Sequence, residues 1–182
     1  EYERHLKRLR EMGLVYPCFA TRKEIQDAIA QSGIAPRNWP KDPDGTPLYP
    51  GIYKDIPRET LNRLMWEGRT YAWRLDMEKA KREAERINGG PITFIEDGES
   101  ARGDKGMLTI EPELFGDVVI ARKDVPTSYH LSVTVDDALQ GVTLVTRGQD
   151  LFPATYIHRI LQLLLGFPEP RYHHHGLIRD EN

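Results

Sequence analysis

Residues 142–178 read VTLVTRGQDLFPATYIHRILQLLLGFPEPRYHHHGLI, a pattern of strand, helix and strand. The β-branched run 142–146 is typical of a strand buried in a parallel sheet, and Pro153 is suited to the first turn of a helix. The apolar residues that recur at helical spacing before Gly166 are Ile157, Ile160, Leu161 and Leu164. A strand over 172–178 would complete a βαβ unit, whose crossover we expect to be right-handed.

The sequence before residue 129 predicts short helices and strands joined by many loops. Helices are expected over 2–13, 21–33, 57–67 and 77–88, and strands over 71–75, 92–95, 107–110 and 117–122. Thr21 and Glu24 have the spacing of a capping box, whereas the breakers of 36–50 predict an irregular loop. The secondary structure of segment 129–138 is not decided by this pattern. Its apolar residues alternate as they would in a strand, and the choice between strand and helix stays open.

Length and composition describe an ordinary globular chain. It has 182 residues, of which 39% are hydrophobic and 29% charged, and a net charge of -3. No apolar run approaches the roughly 20 residues that cross a membrane, and no secretory leader is evident, so we expect a cytoplasmic protein. Cys18 is the single cysteine and cannot form an internal disulfide, which fits a reducing compartment.

Arg147 directly follows the predicted strand 142–146, at the end where open α/β sheets bind ligands. An arginine there can hold a carboxylate with two parallel hydrogen bonds, and Tyr129 could supply a neutral donor to the same ligand. A second interpretation makes Arg147 a solvated charge paired with Asp150 and places Tyr129 in the core. Spacing alone favours this second interpretation.

Longer motifs change that balance. VDDALQGVT at 135–143 and RGQDL at 147–151 resemble the second half of the catalytic domain of glutamyl-type class I tRNA synthetases, and this likeness extends over 128–182. YPCFATRKEI at 16–25 and DGTPLYPGIYKD at 44–55 resemble the inserted acceptor-end domain of the glutamyl-queuosine branch of that family. Residues 57–115 match more loosely.

The resemblance implies an α/β fold: the second half of a Rossmann-type catalytic domain with an inserted α+β acceptor-end-type subdomain. The implied divisions are a catalytic-domain helix at 1–13, the insertion at 14–115 and the catalytic half at 116–182. The resemblance also places a helix over 129–138. Tyr129 and Arg147 fall on the family's glutamate-binding tyrosine and arginine. Three further matches carry no assigned role: Asp136, Asp137 and Asp150.

The activity implied by the resemblance is activation of glutamate by ATP, usually with Mg²⁺, to give glutamyl-adenylate and pyrophosphate. In the queuosine branch the glutamyl group then passes to the queuosine base of tRNA(Asp). Neither family motif, HIGH or KMSKS, is present in the chain. We expect them before Glu1 and after Asn182, so that the chain is an internal piece of a monomeric enzyme and inactive alone.

A zinc site of this branch is degenerate in the sequence. The branch uses three cysteines and a tyrosine, and Cys18 and Tyr49 stand at two of these positions. Ala20 and Tyr53 stand where the remaining cysteines would be. Because structural zinc usually takes four ligands, mostly thiolate or imidazole, we expect no bound zinc.

The histidine triplet 173–175 is expected to pack within the protein. On a strand His173 and His175 share one face and His174 takes the other. The resemblance implies a contact on the ATP side of the site, and we do not expect a metal there.

Several basic residues are candidates for neutralising RNA phosphates. They are Lys7, Arg8, Arg10, Arg22, Lys23, Lys79, Lys81, Arg82 and Arg86. Glutamates interleave the last four, which favours a solvated helix face with i,i+4 pairs. Trp66 and Trp73 are candidates for stacking on RNA bases, or for the core.

Two other functions stay open. The chain could come from an ordinary glutamyl-tRNA synthetase, although segment 16–25 favours the queuosine branch. It could instead be a noncatalytic tRNA-binding module, although such a module has no use for the amino-acid pocket that Tyr129 and Arg147 imply.

Overall fold

The computed structural model describes residues 1–98, 103–125 and 127–177. They form two compact units: the first contains Glu1–Ala80 and Glu113–Tyr129, and the second contains Lys81–Pro112 and His130–Asn182. The helices are α1 (Tyr2–Glu11), α2 (Arg22–Gln31), α3 (Arg58–Trp66), α4 (Met77–Asn88), α5 (Tyr129–Gln140) and α6 (Ala154–Leu165). The strands are β1 (Val15–Cys18), β2 (Ala72–Leu75), β3 (Thr93–Glu96), β4 (Gly106–Thr109), β5 (Val119–Arg122), β6 (Leu144–Gly148) and β7 (Arg171–His175).

The first unit is built on a three-stranded antiparallel sheet in the order β1-β2-β5. Pro17 lies in β1, which is an edge strand of this sheet. On the edge that faces away from β2 no strand of the described residues is paired, so the missing N–H of proline costs no hydrogen bond there. The predicted strand over 71–75 is observed as β2, in which Trp73 and Leu75 are buried and alternate with partly exposed residues. In α1 of the same unit, Leu6 and Leu9 are buried.

Helix ends in the first unit follow the sequence signals. The capping box is confirmed: Thr21 Oγ1 accepts from the N–H of Glu24, and Glu24 Oε2 accepts from the N–H of Thr21. Gly68, after α3, has a φ of 75°, a left-handed conformation that only glycine adopts without strain. Leu64 is the buried residue of α3, whereas Leu61 and Met65 are partly exposed.

A charged cluster joins β2, α4 and β5 in the first unit. Asp76 precedes α4, and its carboxylate contacts Lys54 Nζ at 2.9 Å and Lys79 Nζ at 2.9 Å. Asp117 accepts from the N–H of Met77 at 2.9 Å and from the hydroxyl of Tyr16 at 2.7 Å. Lys54 reaches Asp117 as well, at 3.2 Å. These contacts fix the start of α4 against the sheet.

The second unit contains a four-stranded mixed sheet in the order β4-β3-β7-β6. β3 pairs with β4 antiparallel, whereas β3 with β7 and β7 with β6 are parallel. The predicted βαβ unit is thus confirmed as β6-α6-β7. Helix α6 is almost wholly buried because its apolar stripe is continuous, and the fully buried members are Ile157, Ile160, Leu161 and Leu164.

Two details of this unit differ from expectation. Strand β6 begins at Leu144 rather than residue 142, and the prediction that it is buried is wrong, since Leu144 is 50% exposed. The reason is its edge position, with β7 as its paired strand. The second predicted strand, 172–178, is observed as Arg171–His175, and Ile178 lies outside the described residues.

The open segment 129–138 is helical, as the resemblance implied. In α5 the buried residues are Leu131, Thr134 and Val135, which is the i, i+3, i+4 spacing of one helix face. The apparent alternation of a strand arose because two of these three positions also fit a period of two. Among the described residues, no helix has the length and apolarity needed to cross a membrane.

Candidate functional site

Arg147 lies in β6 beside His174 of β7 and is held by three neighbours in the second unit. Its Nε donates to His174 Nε2 at 3.0 Å, and its Nη2 donates to Thr155 Oγ1 at 2.6 Å. Its Nη1 is 3.1 Å from His158 Nδ1, and arginine can only donate. The alternative in which Arg147 is a solvated charge paired with Asp150 is therefore wrong, because its partners come from α6 and β7.

Glu96 fixes the ring of His174. Glu96 Oε2 is 2.6 Å from His174 Nδ1, and Glu96 Oε1 accepts from the backbone N–H groups of His174 and Gly98. Because His174 Nε2 accepts from Arg147, the ring proton belongs on Nδ1, where it is donated to Glu96. A carboxylate at the end of β3 thus orients a neutral imidazole toward the guanidinium.

A second imidazole pair supports the other side of Arg147. His158 Nδ1 accepts from Arg147, so its proton lies on Nε2, which is 3.2 Å from His130 Nδ1. His130 then carries its own proton on Nε2. His158 is buried in α6 and His130 is partly buried at the start of α5. We call the six residues that make these contacts the arginine cluster: Arg147, Thr155, His158, His130, His174 and Glu96.

Within the described part of the chain, the arginine cluster leaves two donors of the guanidinium unused. An arginine has five N–H groups. Arg147 uses three of them for hydrogen bonds to its neighbours, one from Nε, one from Nη1 and one from Nη2. One N–H therefore remains on each terminal nitrogen. Two N–H donors on neighbouring nitrogens can bind the two oxygens of a carboxylate, and we call this pair of Arg147 N–H groups the carboxylate-binding fork.

Burial keeps the imidazoles of the arginine cluster neutral. It lowers the pKa of His130 to about 4, with the charge of Arg147 adding to the effect. Burial lowers the pKa of His158 well below its usual range, and Arg147, His130 and His174 act in the same direction. The pKa of His174 is also lowered, by burial first, although the hydrogen bond with Glu96 opposes the shift. Arg147 is thus surrounded by uncharged acceptors near neutral pH.

This electrostatic arrangement predicts that the second unit loses stability as the pH falls from 6.5 to about 4. The unfolded chain binds a proton at His130 near pH 6.5, whereas the folded chain does so near pH 4. Between these values the unfolded state binds more protons, so acid favours unfolding. The contribution of His130 to the free energy of unfolding is on the order of 3 kcal/mol. It is present above pH 6.5 and is lost toward pH 4.

Unfolding by urea at a series of pH values between 7.5 and 4 measures this dependence. His130→Gln is expected to flatten it, whereas His175→Asn, which removes an exposed imidazole of the same unit, is the matched control and should keep it. An unchanged slope for His130→Gln would contradict the assignment of a neutral His130.

Tyr129, the other predicted glutamate-binding residue, begins α5 and is 46% exposed. The alternative that placed it in the core is therefore wrong. Tyr129 belongs to the first unit and Arg147 to the second, so their joint role stays a prediction. Of the three aspartates that match the family pattern, Asp137 has its pKa raised, chiefly by burial.

Sequence reasoning missed four members of the arginine cluster: Thr155, His158, His130 and Glu96. A signal for the first two was present, since Thr155 and His158 are three residues apart within a helix whose apolar stripe predicts burial. Polar residues on a buried face need partners, and a neighbouring arginine could have been proposed. Glu96 carried no comparable signal, because its partner His174 is distant in sequence.

The histidine triplet takes the faces that were predicted. His174 is buried, whereas His173 is partly exposed and His175 is exposed. The ring of His174 packs edge-on against Phe152, with 5.0 Å between the ring centroids, and parallel to Tyr172, with 6.1 Å between the centroids. The middle histidine therefore serves the arginine cluster, and its contact with the ATP side stays a prediction.

The degenerate zinc positions meet in the first unit without forming a metal site. Cys18 Sγ donates to the hydroxyl of Tyr49 at 3.2 Å, and the same oxygen accepts from the N–H of Tyr53 at 2.9 Å. The guanidinium of Arg74 lies 3.9 Å from the Tyr49 ring centroid, and burial raises the pKa of Tyr49. A protonated phenol beside a fixed cation does not fit zinc.

The candidate RNA-contacting residues fall into distinct environments. On α4, Arg86 pairs with Glu83 and Lys81 with Glu85, as the solvated-face interpretation predicts. Trp66 is 88% exposed at the end of α3. Trp73 is buried.

The fold is that of a class I aminoacyl-tRNA synthetase. It matches a glutamate-tRNA synthetase from Elizabethkingia anophelis with a TM-score of 0.71, at 20% identity, over 100% of this chain and 33% of that chain. At this identity the likeness shows the fold alone. Together with the parallel strands of the second unit, it confirms the predicted fold class, whereas the predicted divisions 1–13, 14–115 and 116–182 stay a prediction.

The chain belongs to the family described as "tRNA synthetases class I (E and Q), catalytic domain", whose profile matches residues 1–182. It is 45% identical to the glutamyl-Q tRNA(Asp) synthetase of Rhodobacter capsulatus, over 99% of this chain and 60% of that protein. It is 35% identical to that of Nocardia farcinica, over 100% of this chain and 49% of that protein. The chain thus spans roughly half to three fifths of these relatives, and the resemblance seen in the sequence is confirmed.

Proposed function

We propose that the protein activates glutamate with ATP as glutamyl-adenylate and transfers the glutamyl group to the queuosine base of tRNA(Asp). The observation that carries the proposal is the carboxylate-binding fork of Arg147, which neutral histidines hold in place. The names of the two relatives described above favour the queuosine acceptor over the terminal ribose of a tRNA. The 182 residues would supply the glutamate side of the reaction.

In the proposed reaction Arg147 binds a carboxylate of glutamate through the two N–H groups that its neighbours leave unused. Because the surrounding imidazoles are neutral, the positive charge available to the substrate is that of the guanidinium. A rigid fork places the amino acid in one orientation, and holding a reactant in position is a large part of the catalysis of such transfers. The exposed hydroxyl of Tyr129 is the proposed second donor.

ATP and Mg²⁺ enter the proposal as the substrate and ion that class I synthetases use in general. Within residues 1–98, 103–125 and 127–177, no group of three acidic, histidine or cysteine side chains is arranged to hold a metal ion. We therefore assign no residue of this chain to the ion. That zinc is not bound at Cys18 and Tyr49 stays a prediction, and metal analysis of the purified protein tests it.

The test of the proposal is glutamate-dependent exchange between ATP and pyrophosphate, measured with the full-length protein in the presence and absence of tRNA. A queuosine-type enzyme is expected to exchange with glutamate alone and then to label tRNA(Asp) that contains queuosine, but not the same tRNA with guanine at that position. Exchange that needs tRNA, with labelling at the terminal ribose, would instead support an ordinary glutamyl-tRNA synthetase. Absence of exchange under both conditions would refute the proposal.

A further inference from the structure

A cavity of about 320 Å³ opens on the first unit, and none of its lining residues belongs to the proposed glutamate site. Its walls come from α1, from the start of β2 and from the end of β5. The charged lining residues are Glu3, Lys7, Arg10, Arg122 and Lys123, and the aromatic ones are Tyr71 and Trp73. Four cations therefore face one carboxylate in a chain whose net charge is -3.

The positive charge of this cavity is largely unneutralised. Lys7 is paired with Glu11, at 3.6 Å and with both side chains exposed. Arg10, Arg122 and Lys123 form no ion pair with any carboxylate of the described residues. Lys123 Nζ donates to the carbonyl oxygen of Gly68 at 3.1 Å, which fixes its ammonium without cancelling its charge. Converging cations without counter-charges are typical of a site for an anionic ligand.

The floor of the cavity is a stack of planar groups. The guanidinium of Arg10 lies over the ring of Trp73, 4.5 Å from its centroid, and the ring of Tyr71 meets Trp73 edge-on at 5.5 Å. Trp73 is buried and Arg10 exposed, so the outer face of the guanidinium is open to solvent. Guanidinium planes and tyrosine rings are the surfaces on which proteins stack unpaired RNA bases.

We propose that this cavity binds one unpaired nucleotide of the RNA substrate, with its base on Arg10 and Tyr71 and its phosphates at Arg122 and Lys123. The volume suits a single nucleotide rather than a whole helix, and the combination of stacking planes with fixed cations is the general design of single-strand binding surfaces. The inference rests on the proposed function for the identity of the RNA. It adds a contact that is separate from the glutamate pocket.

The test uses the full-length protein and queuosine-containing tRNA(Asp), with affinity measured over a range of salt concentrations. Arg122→Gln with Lys123→Gln is expected to weaken binding about tenfold and to reduce the slope of log affinity against log salt by roughly 1 to 2, since each phosphate contact releases about one counterion. Arg10→Lys keeps the charge but removes the stacking plane. It is expected to weaken binding with little change of slope.

Two controls distinguish RNA binding at this cavity from a general loss of charge and from the proposed activation of glutamate. Arg37→Gln with Arg58→Gln removes the same charge from exposed positions of the first unit that do not line the cavity, and is expected to keep wild-type affinity. Exchange of ATP with pyrophosphate should be unchanged in all four proteins, because it needs no RNA. If exchange persists but the cavity variants bind RNA as the wild type does, or no worse than the control variant, the inference is wrong while the proposed function stands. Absence of ATP–pyrophosphate exchange in the wild-type protein would instead count against the proposed function.

Discussion

Substitution of Arg147 by lysine is expected to lower kcat/KM for glutamate in ATP–pyrophosphate exchange by roughly 10²–10³-fold in the full-length protein. Removing one partner of a buried, hydrogen-bonded charge pair has an effect of this order. Lysine keeps the charge, but it cannot reproduce the planar fork. Its three N–H groups would all be needed for His174, His158 and Thr155, so none would remain for the substrate carboxylate. KM for ATP should change little, because the loss is confined to the amino-acid side.

The matched control is Arg159→Lys. Arg159 is another buried arginine of the second unit, and it donates to the carbonyl of Thr93, to Gln162 and to Glu169. Its substitution tests the general consequence of disturbing a buried guanidinium, and KM for glutamate is expected to stay within a few fold of wild type. Equal losses in both variants, or an unchanged KM for glutamate in Arg147→Lys, would show that Arg147 does not bind the amino acid.

The arrangement of Arg147 could be predicted only in part from the sequence. Its place at the end of a strand followed from the strand-helix-strand pattern, which is local and strongly periodic. Its partners could not be found in this way, because His174, His158 and Glu96 are brought together by strand pairing and by the packing of α6. Register between β6 and β7 depends on long-range contacts, and the alternative of an Arg147–Asp150 pair arose because Asp150 was the nearest carboxylate in sequence.

The same contrast holds for the elements of the fold. Helix α6 and the capping box of α2 were correctly predicted because both depend on residues within a few positions of each other. The burial of β6 was wrongly predicted because a β-branched run has the same composition in a central strand and in an edge strand. Whether a strand has one neighbour or two is a property of the sheet, and the sequence of the strand does not contain it.

The degenerate zinc positions illustrate a third case. The absence of two of the three cysteines was evident in the sequence, and it led to the expectation that no zinc is bound. The structure adds the reason that these residues still converge: the thiol of Cys18 and the N–H of Tyr53 share the hydroxyl of Tyr49. These hydrogen bonds link Tyr49 to Cys18 of β1 and to the backbone of Tyr53.

Substitution of Asp117 by asparagine is expected to destabilise the first unit by about 3 kcal/mol, the scale observed when one partner of a buried ion pair is removed. The carboxylate of Asp117 accepts from Tyr16 and from the N–H of Met77, and it also contacts Lys54. An amide keeps the shape but loses the charge, and it presents an NH₂ group where an acceptor is needed. The affected structure is the start of α4, since the bond to Met77 is made there.

Hydrogen exchange followed on peptides that cover 72–80 measures this effect, with thermal unfolding of the full-length protein as the second readout. Tyr16→Phe removes a single hydrogen bond of Asp117 and is expected to lower stability by about 1 kcal/mol. Asp55→Asn removes an exposed carboxylate from the neighbourhood of Lys54 in sequence and should have no measurable effect. If exchange at 72–80 is as slow in Asp117→Asn as in Asp55→Asn, the charge at residue 117 does not hold α4 against the sheet. In that case the second carboxylate, Asp76, suffices as the partner of Lys54, and the stability of the junction resides in the apolar contacts of Leu75 and Met77.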